Sequence, residues 1–558
     1  MWFRKGLRTI GTAVLTFAMV ASLVTPGETT AAKAPSFAKK TVNVKVGKTT
    51  TVKIKNVNKK AKVTWKIKST RIAKLGKKSK TSVKVKGVKA GKTTLTAVYK
   101  LRKNKKTLKC SIVVKGTDVA KATPVSQDSN TNQPTPTATQ NVVNPTAVPT
   151  LAPTATPTAE PTEAPFGWTS TWGTAEEKND ISADSAMPKI PLAGTTIRQI
   201  IRPTTSGEKI RLRLSNQYGK SDVEIGSCHV AVQKPIGEGS SIDYQTSAID
   251  TSTDTLITVD GSESFTIPAG EVIITDEIEF TTTALENLAI SMYILDAPES
   301  NITGHRGARA TTYQMPGNVV SEESIETGDT KTTTSWFFVS DVSIWTKGGK
   351  AVVCFGDSIT DGYGTDASYL GKRPDSYTRW IDYFAKRLQG NEDTKHISVI
   401  NEGIGSNAMF GGYPTDAGKD RFERDLLEHD NVAYCIILFG VNDLNKLPDT
   451  SKFESLKSEY ETMIDLCRSN NIKVFAAPIL PFGTSDYYSE GSEATRQLIN
   501  NWFRSEDSGV DGIIDFEGAL ADPENPKNIL EKYTHGDGLH PYDGYDVMAD
   551  AINLDLFK

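Results

Sequence analysis

The apolar run Ala351-Val352-Val353-Cys354-Phe355 breaks into Gly356-Asp357-Ser358, which places a serine hydroxyl directly after a stretch that predicts a buried parallel strand. Open α/β sheets gather ligands at the carboxyl ends of their strands, so Ser358 stands where a nucleophile could work. A serine after a strand is more commonly a turn residue or a helix N-cap, and a base within reach is what separates the two readings. Six histidines compete for that role. His229 and His305 belong to a β-rich stretch, His396 begins a strand, and His429 lies in the acidic run RFERDLLEHD, which predicts a solvated surface. His535 and His540 remain. His540 sits in Asp537-Gly538-Leu539-His540-Pro541. An acid three residues before a histidine can fold back across a turn, accept the Nδ1 proton and leave Nε2 facing a nucleophile. The competing arrangement is a metal site of His535, Asp537 and His540, for which the neighbouring sequence offers no further ligand to close the coordination shell.

Acyl transfer also requires fixed donors where negative charge develops on oxygen. The third apolar run ends in Gly440-Val441-Asn442-Asp443, and Asn442 can offer an amide N–H without changing the charge of a site. The second ends in Asn401-Glu402-Gly403-Ile404-Gly405-Ser406-Asn407, a glycine-rich turn able to present a backbone N–H. Taken in order, GDSIT, NEGIGSN, GVND and DGLHP resemble the SGNH subgroup of GDSL hydrolases, over residues 350–558. The resemblance implies Ser358 as nucleophile, His540 as base and Asp537 as the acid that orients it. It also implies an oxyanion hole made of the Asn442 side chain, the backbone N–H of Ser358 and a third donor from the second block. The family's second block is commonly Asn-x-Gly-x-x-Gly, whose final glycine gives that N–H; here Ser406 holds the place and Gly405 is the alternative donor. No metal or organic cofactor is implied. Thr360 stands where the Gly-x-Ser-x-Gly elbow of α/β-hydrolases has its second glycine, so that elbow is not the one present.

Positioning these residues takes strands and helices in alternation. Strands are predicted at 350–355, 396–400, 432–439, 472–477 and 512–516, with helical patterns between them such as SYTRWIDYFAKRL, where Tyr377, Trp380, Ile381, Phe384 and Leu388 share one face. Five parallel strands with interleaved helices make a three-layer α/β domain over residues 350–558.

A chain of 558 residues is too long for one core. Residues 166–349 predict seven or more strands, a β-sandwich or jelly roll. Its segments TTIRQIIR, RLRLSNQYG, TIPAGEVIITD and SWFFVSDVSIW resemble the β domain that precedes the hydrolase domain in a group of exported bacterial GDSL-like esterases. Trp168, Trp172, Trp336 and Trp345 are candidates for stacking on sugars, although tryptophans in such domains are more often core. Residues 117–165 are dense in Pro and Thr and predict an extended linker. Residues 35–116 alternate apolar and polar positions, and their Trp65, Ser69, Gly87 and Gly91 resemble the pattern of bacterial immunoglobulin-like group 2 domains, implying an N-terminal immunoglobulin-like β-sandwich. Residues 1–34, with Arg4, Lys5 and Arg8 ahead of an apolar run and Ala31, Ala32 and Ala34 after it, predict a cleaved signal peptide.

The net charge of −1 hides an asymmetry. Residues 35–116 carry 27 Lys and Arg and no Asp or Glu, while residues 117–558 carry 34 bases against 65 acids. Such a field concerns partners rather than fold, and an anionic cell-wall polymer is the partner it suits. Cys354, Cys435 and Cys467 fall at apolar positions, and Cys110 and Cys228 in two different β segments, with no disulfide framework suggested. The expectation is a secreted serine esterase acting on short acyl esters of a polysaccharide, acetyl above all, with no nucleic-acid partner and no membrane anchor after signal cleavage. The rivals are a lipolytic esterase and a glycan-binding protein with a silent hydrolase domain.

Overall fold

The computed structural model describes residues 35–70, 72–101, 104–115, 164–180, 191–412 and 415–558; the expected signal segment and nearly all of the expected linker lie outside them. The chain divides into two compact units, Met1–Ala152 and Pro153–Lys558.

The first unit has eight described strands in two four-stranded sheets. Alternation does the sorting: along the strand Thr49–Lys55, Val52 and Ile54 turn inward while Lys53 and Lys55 stay exposed. Both sheets contribute to one core, with Val52, Val83 and Val85 from one and Trp65, Leu95 and Ile112 from the other. The buried Trp65 indole donates to the Ser79 carbonyl at 2.8 Å, so its polar edge is satisfied.

The second unit begins with antiparallel sheets of seven, five and three strands, the two larger of which share a core of Ile197, Ile210, Leu212, Val230, Met292 and Ile344. Trp172 and Trp336 belong to that core, ring centroids 4.9 Å apart. Trp168 and Trp345 lie half-buried against each other, and the Arg211 guanidinium sits 4.3 Å over the Trp168 ring.

The parallel sheet follows after only Gly348 and Gly349. Its strands are β1 (Lys350–Gly356), β2 (Ile397–Gly403), β3 (Val432–Leu438), β4 (Lys473–Ala476) and β5 (Gly512–Ile513), in the spatial order β2-β1-β3-β4-β5. Continuous apolar runs form these strands because both faces are covered. The helix α1 (Ser358–Asp361) follows β1 directly, and α2 (Trp380–Gln389) leads to β2. The helix α3 (Gly418–Leu427) lies between β2 and β3, and α4 (Phe453–Ser469) and α5 (Glu490–Phe503) flank β4. Packing joins α2 to the closing helix Tyr545–Asp550, and α4 to both α3 and α5. Because the chain runs from β1 out to β2 and then back past it to β3, the strand order reverses between β1 and β3. The carboxyl ends of that pair are where a ligand site is expected.

Trp380, Ile381, Phe384 and Leu388 are buried on α2 as their spacing predicts, but Tyr377 precedes the helix with φ +49°. The helix starts at Trp380 because the Asp382 carboxylate turns back to accept from the Arg379 backbone N–H at 2.9 Å.

The β sheets pack against the β2 side of the parallel sheet. Thr204 Oγ1 accepts from the Val399 N–H at 2.8 Å, Thr205 Oγ1 donates to the Lys395 carbonyl at 3.1 Å, and the Ser170 N–H donates to the Asp430 carbonyl at 3.1 Å. This junction corrects the reading of His429. Its side chain is 5 % exposed, held by Asp341 at Nδ1 (2.7 Å) and Glu402 at Nε2 (2.9 Å). The acidic run around it looked solvated because Asp341, which covers it, comes from a strand 88 residues away. All five cysteines are free and buried.

Candidate active site

Gly356 ends β1 because nothing larger fits: a Cβ there would fall 2.1 Å from Thr360 Oγ1 and 2.9 Å from the Leu438 carbonyl of β3. Asp357 then caps α1, its carboxylate accepting from the Ile359 N–H at 3.1 Å. Burial pushes the Asp357 carboxyl up to about 7. Ser358 opens α1, 7 % exposed, with Oγ 2.9 Å from His540 Nε2.

The other ring nitrogen, His540 Nδ1, donates to Asp537 Oδ2 at 2.7 Å. The Asp537 carboxylate is itself fixed: Oδ1 accepts from the backbone N–H groups of Leu539 (2.8 Å) and His540 (2.9 Å), and Oδ2 also accepts from Tyr542 Oη at 2.6 Å. Burial alone would raise this carboxyl, yet the bonds from His540, Tyr542 and the two N–H groups outweigh it and hold it below the ordinary carboxylate range. An ionised Asp537 can only accept, so it fixes the tautomer with the proton on Nδ1 and the acceptor lone pair of Nε2 toward Ser358. Of the residues in the competing metal arrangement, His535 pairs with Asp543 instead.

Asn442 follows β3 in a short 3₁₀ turn. Its Oδ1 accepts from Tyr487 Oη at 3.2 Å and one N–H of its Nδ2 reaches the Asn407 carbonyl at 2.9 Å, which orients the amide and leaves a second N–H. Ser406 sits at the turn after β2 with φ +62°, a left-handed conformation that glycine adopts freely. A serine holds it at a cost on the order of 1 kcal/mol, which accounts physically for glycine at that place in the resembling pattern. The turn itself is closed by the Asn407 N–H donating to the Ile404 carbonyl at 3.2 Å. Arg421, fully buried on α3, ties the strand ends together: Nη2 donates to the Gly356 carbonyl of β1 (2.9 Å), Nη1 to the Glu402 carbonyl of β2 (2.9 Å) and Nε to Asn407 Oδ1 (2.9 Å).

The structure thus brings Ser358, His540 and Asp537 into one hydrogen-bonded line, and sets Asn442 and the turn with Gly405 and Ser406 at the ends of the strands on either side of β1. Sequence reasoning did not single out Tyr542, Tyr487, Arg421 or Tyr363, whose ring lies 4.6 Å from that of His540. Tyr542 stands just past the Asp537–Pro541 motif and Tyr363 five residues after Ser358, both within reach of inspection, whereas Tyr487 and Arg421 come from distant segments.

No curated protein matches the chain. Among solved structures, a GDSL-like lipase from Bacteroides thetaiotaomicron is similar at 20 % identity over 37 % of this chain and 88 % of its own, with a TM-score of 0.27. A carbohydrate acetylesterase from Sinorhizobium meliloti is similar at 18 % identity over 36 % of this chain and 95 % of its own, with a TM-score of 0.28. Residues 354–544 match the family model of the GDSL-like lipases and acylhydrolases. With the strand-end constellation above, this C-terminal part of the chain is a GDSL-like lipase/acylhydrolase domain, consistent with a carboxylic ester hydrolase.

Proposed function

We propose that the chain hydrolyses short acyl esters through an acyl-enzyme on Ser358, and the observation that carries this reading is the line from Ser358 Oγ through His540 to Asp537. His540 Nε2 takes the hydroxyl proton as Ser358 Oγ attacks the ester carbonyl, then returns it to the leaving alcohol. Water repeats the sequence and releases the acid. The developing oxyanion is met by the free Asn442 N–H, the Ser358 N–H and an N–H from the turn holding Gly405 and Ser406. Acetyl groups on a plant or cell-wall polysaccharide are the substrate we favour, on the strength of the predicted export and the attached β domains. Initial rates on p-nitrophenyl acetate and on longer acyl chains test this. Activity confined to short chains and abolished in Ser358→Ala is expected, with Asn442→Ala lower by about 10² to 10³ in rate. Preference for long chains would make it a lipolytic esterase, and no turnover at all would make the domain silent.

For the first unit we propose retention on an anionic cell-wall polymer outside the cell. Every lysine there whose burial is described is exposed, and residues 35–116 hold no acid to offset them. Exposed charges are screened over about 10 Å at 0.1 M salt, so retention on purified walls should fall steeply as salt rises. Retention indifferent to salt would defeat this reading.

A further inference from the structure

Asp361 closes the single turn of α1, three residues after Ser358, with its side chain buried. Its partners come from the preceding β domain. Arg309 Nη2 donates to Asp361 Oδ2 at 2.8 Å and His305 Nε2 to Oδ1 at 3.0 Å. His305 Nδ1 faces the Ala175 carbonyl at 3.0 Å, which can only accept. With an ionised carboxylate on one side and a carbonyl on the other, both ring nitrogens must carry protons, so His305 is an imidazolium. Burial opposes that charge, but Asp361 and Glu177 outweigh it and raise the His305 pKa. The local charges balance: His305, Arg306 and Arg309 stand against Glu177, Asp361 and Asp366.

The approach is close enough to leave no slack. A Cβ on Gly307 of the β domain would lie 2.3 Å from Asp361 Oδ1, and one on Gly403, the last residue of β2, would lie 2.2 Å from the Asp361 N–H nitrogen. A Cβ on Gly405, in the candidate oxyanion turn, would touch Asp361 Oδ2 at 3.5 Å. Asp361 is therefore packed between the nucleophile's helix, the turn after β2 and the β domain.

The same arginine also grips the segment that follows. Its Nη1 reaches Asp366 at 3.2 Å, its carbonyl accepts from the Asp375 N–H at 2.9 Å, and the next contact, the Thr311 N–H to Asp375 Oδ1, is 2.8 Å. Further along, the Arg202 guanidinium lies 3.3 Å from the Tyr377 ring centre and 4.5 Å from that of Tyr244. Arg309, Asp375 and Tyr377 all hold positive φ, of +53°, +64° and +49°. Non-glycine residues keep that conformation only where surrounding contacts over-determine it. Between these anchors the segment carries Tyr363, packed on His540, and Tyr369, 71 % exposed.

We propose that Arg309, contributed by the β domain, is a positioning residue for ester hydrolysis: through Asp361 it sets the helix and oxyanion turn around Ser358, and through Asp366 and Asp375 it holds Tyr363 against His540. The inference rests on Ser358 being the nucleophile. Misplacing reacting groups by about 1 Å can cost on the order of 10²-fold in rate. The test uses the full chain with Arg309→Met, which keeps the aliphatic stem, and Arg309→Lys, which keeps a charge but cannot span both carboxylates. Active sites are titrated with a fluorophosphonate so that kcat on p-nitrophenyl acetate is counted per competent serine. Arg309→Met should lose about 10- to 100-fold in kcat with KM within threefold, and Arg309→Lys should recover part of it. An unchanged kcat per titrated site, with only the melting temperature lowered, would reduce Arg309 to a structural contact and overturn the proposal. Should Arg309→Met not fold, the same titrated comparison on Asp366→Asn decides. A wild-type chain that neither turns over the ester nor labels at Ser358 would instead overturn the reading of the site itself.

Discussion

The first unit and the junction between the β domain and the parallel sheet use charge in opposite ways. The lysines of the first unit whose burial is described all point outward, in a segment that holds no acid, and the buried side chains described there are apolar or small and polar. At the junction, charges go inside and are matched: His429 between Asp341 and Glu402, Asp361 between His305 and Arg309. Exposed like charges cost little in fold stability and speak to partners through salt-dependent fields. Buried pairs gain little over an apolar replacement, but losing one member leaves a charge without water or partner. The first arrangement projects its charge into solvent, and the second ties side chains of distant segments together.

The largest effect should come from Arg421, whose fully buried guanidinium also pairs with Asp425 at 2.5 Å. Arg421→Met should cost about 3 kcal/mol in denaturant unfolding, because the buried Asp425 is left with the bond from Arg424 Nε and the strand-end carbonyls of Gly356 and Glu402 lose the donor that ties them together. Lys84→Met in the first unit should leave the melting temperature of the second unit unchanged. Equal sensitivity at both sites would erase the contrast.

An intermediate effect should follow from pH. His429 is pushed up to about 10: burial opposes its charge, and Asp341 and Glu402 outweigh burial. A histidine raised in the folded state contributes stability that is complete below its unfolded value, near 6.5, and is lost as pH climbs through the folded one. The melting temperature should therefore decline between about pH 6.5 and about 10, and His429→Gln should flatten that decline while lowering the plateau at pH 6. A wild-type curve that rises over this interval would contradict the pairing.

The smallest effect belongs to Ser406. If the turn after β2 serves through its backbone, Ser406→Gly relieves the φ of +62° and should keep kcat within about threefold of wild type, and because glycine's greater freedom in the unfolded chain offsets the strain relieved, stability should shift by only tenths of a kcal/mol. A loss beyond tenfold would mean that the serine side chain takes part.

The parallel sheet was legible in the sequence because its strands are continuous apolar runs closed by turn residues; the predicted 350–355 and 432–439 meet the observed β1 and β3 within one residue at each end. Ser358 and Asn442 were legible for a related reason, since each sits just past such a run, while Asp537 and His540 were legible from their own spacing in a turn well beyond the last strand. The β domain was legible in class but not in detail: short strands such as Val272–Ile274 and Lys331–Thr333 carry too few residues to show a period. His429, His305 and Arg309 were opaque because what decides their state is a partner supplied by a distant segment. Periodicity reports which face of an element is apolar, and it is silent about which charge will be laid against that face.

The strand Val339–Lys347 lies between Gly207–Ser215 and Phe166–Gly173, in the interior of the five-stranded sheet, and only two residues separate it from β1. A polypeptide made from its amino end cannot close that sheet until Lys347 has been added, and the next strand to appear is β1, which leads to the serine. The strand that ends in His305 and the loop bearing Arg309 are by then already part of the growing chain. Synthesis thus places every strand of the β domain ahead of the parallel sheet, and the partners that Asp361 pairs with, His305 and Arg309, are in the chain before Asp361 itself is added.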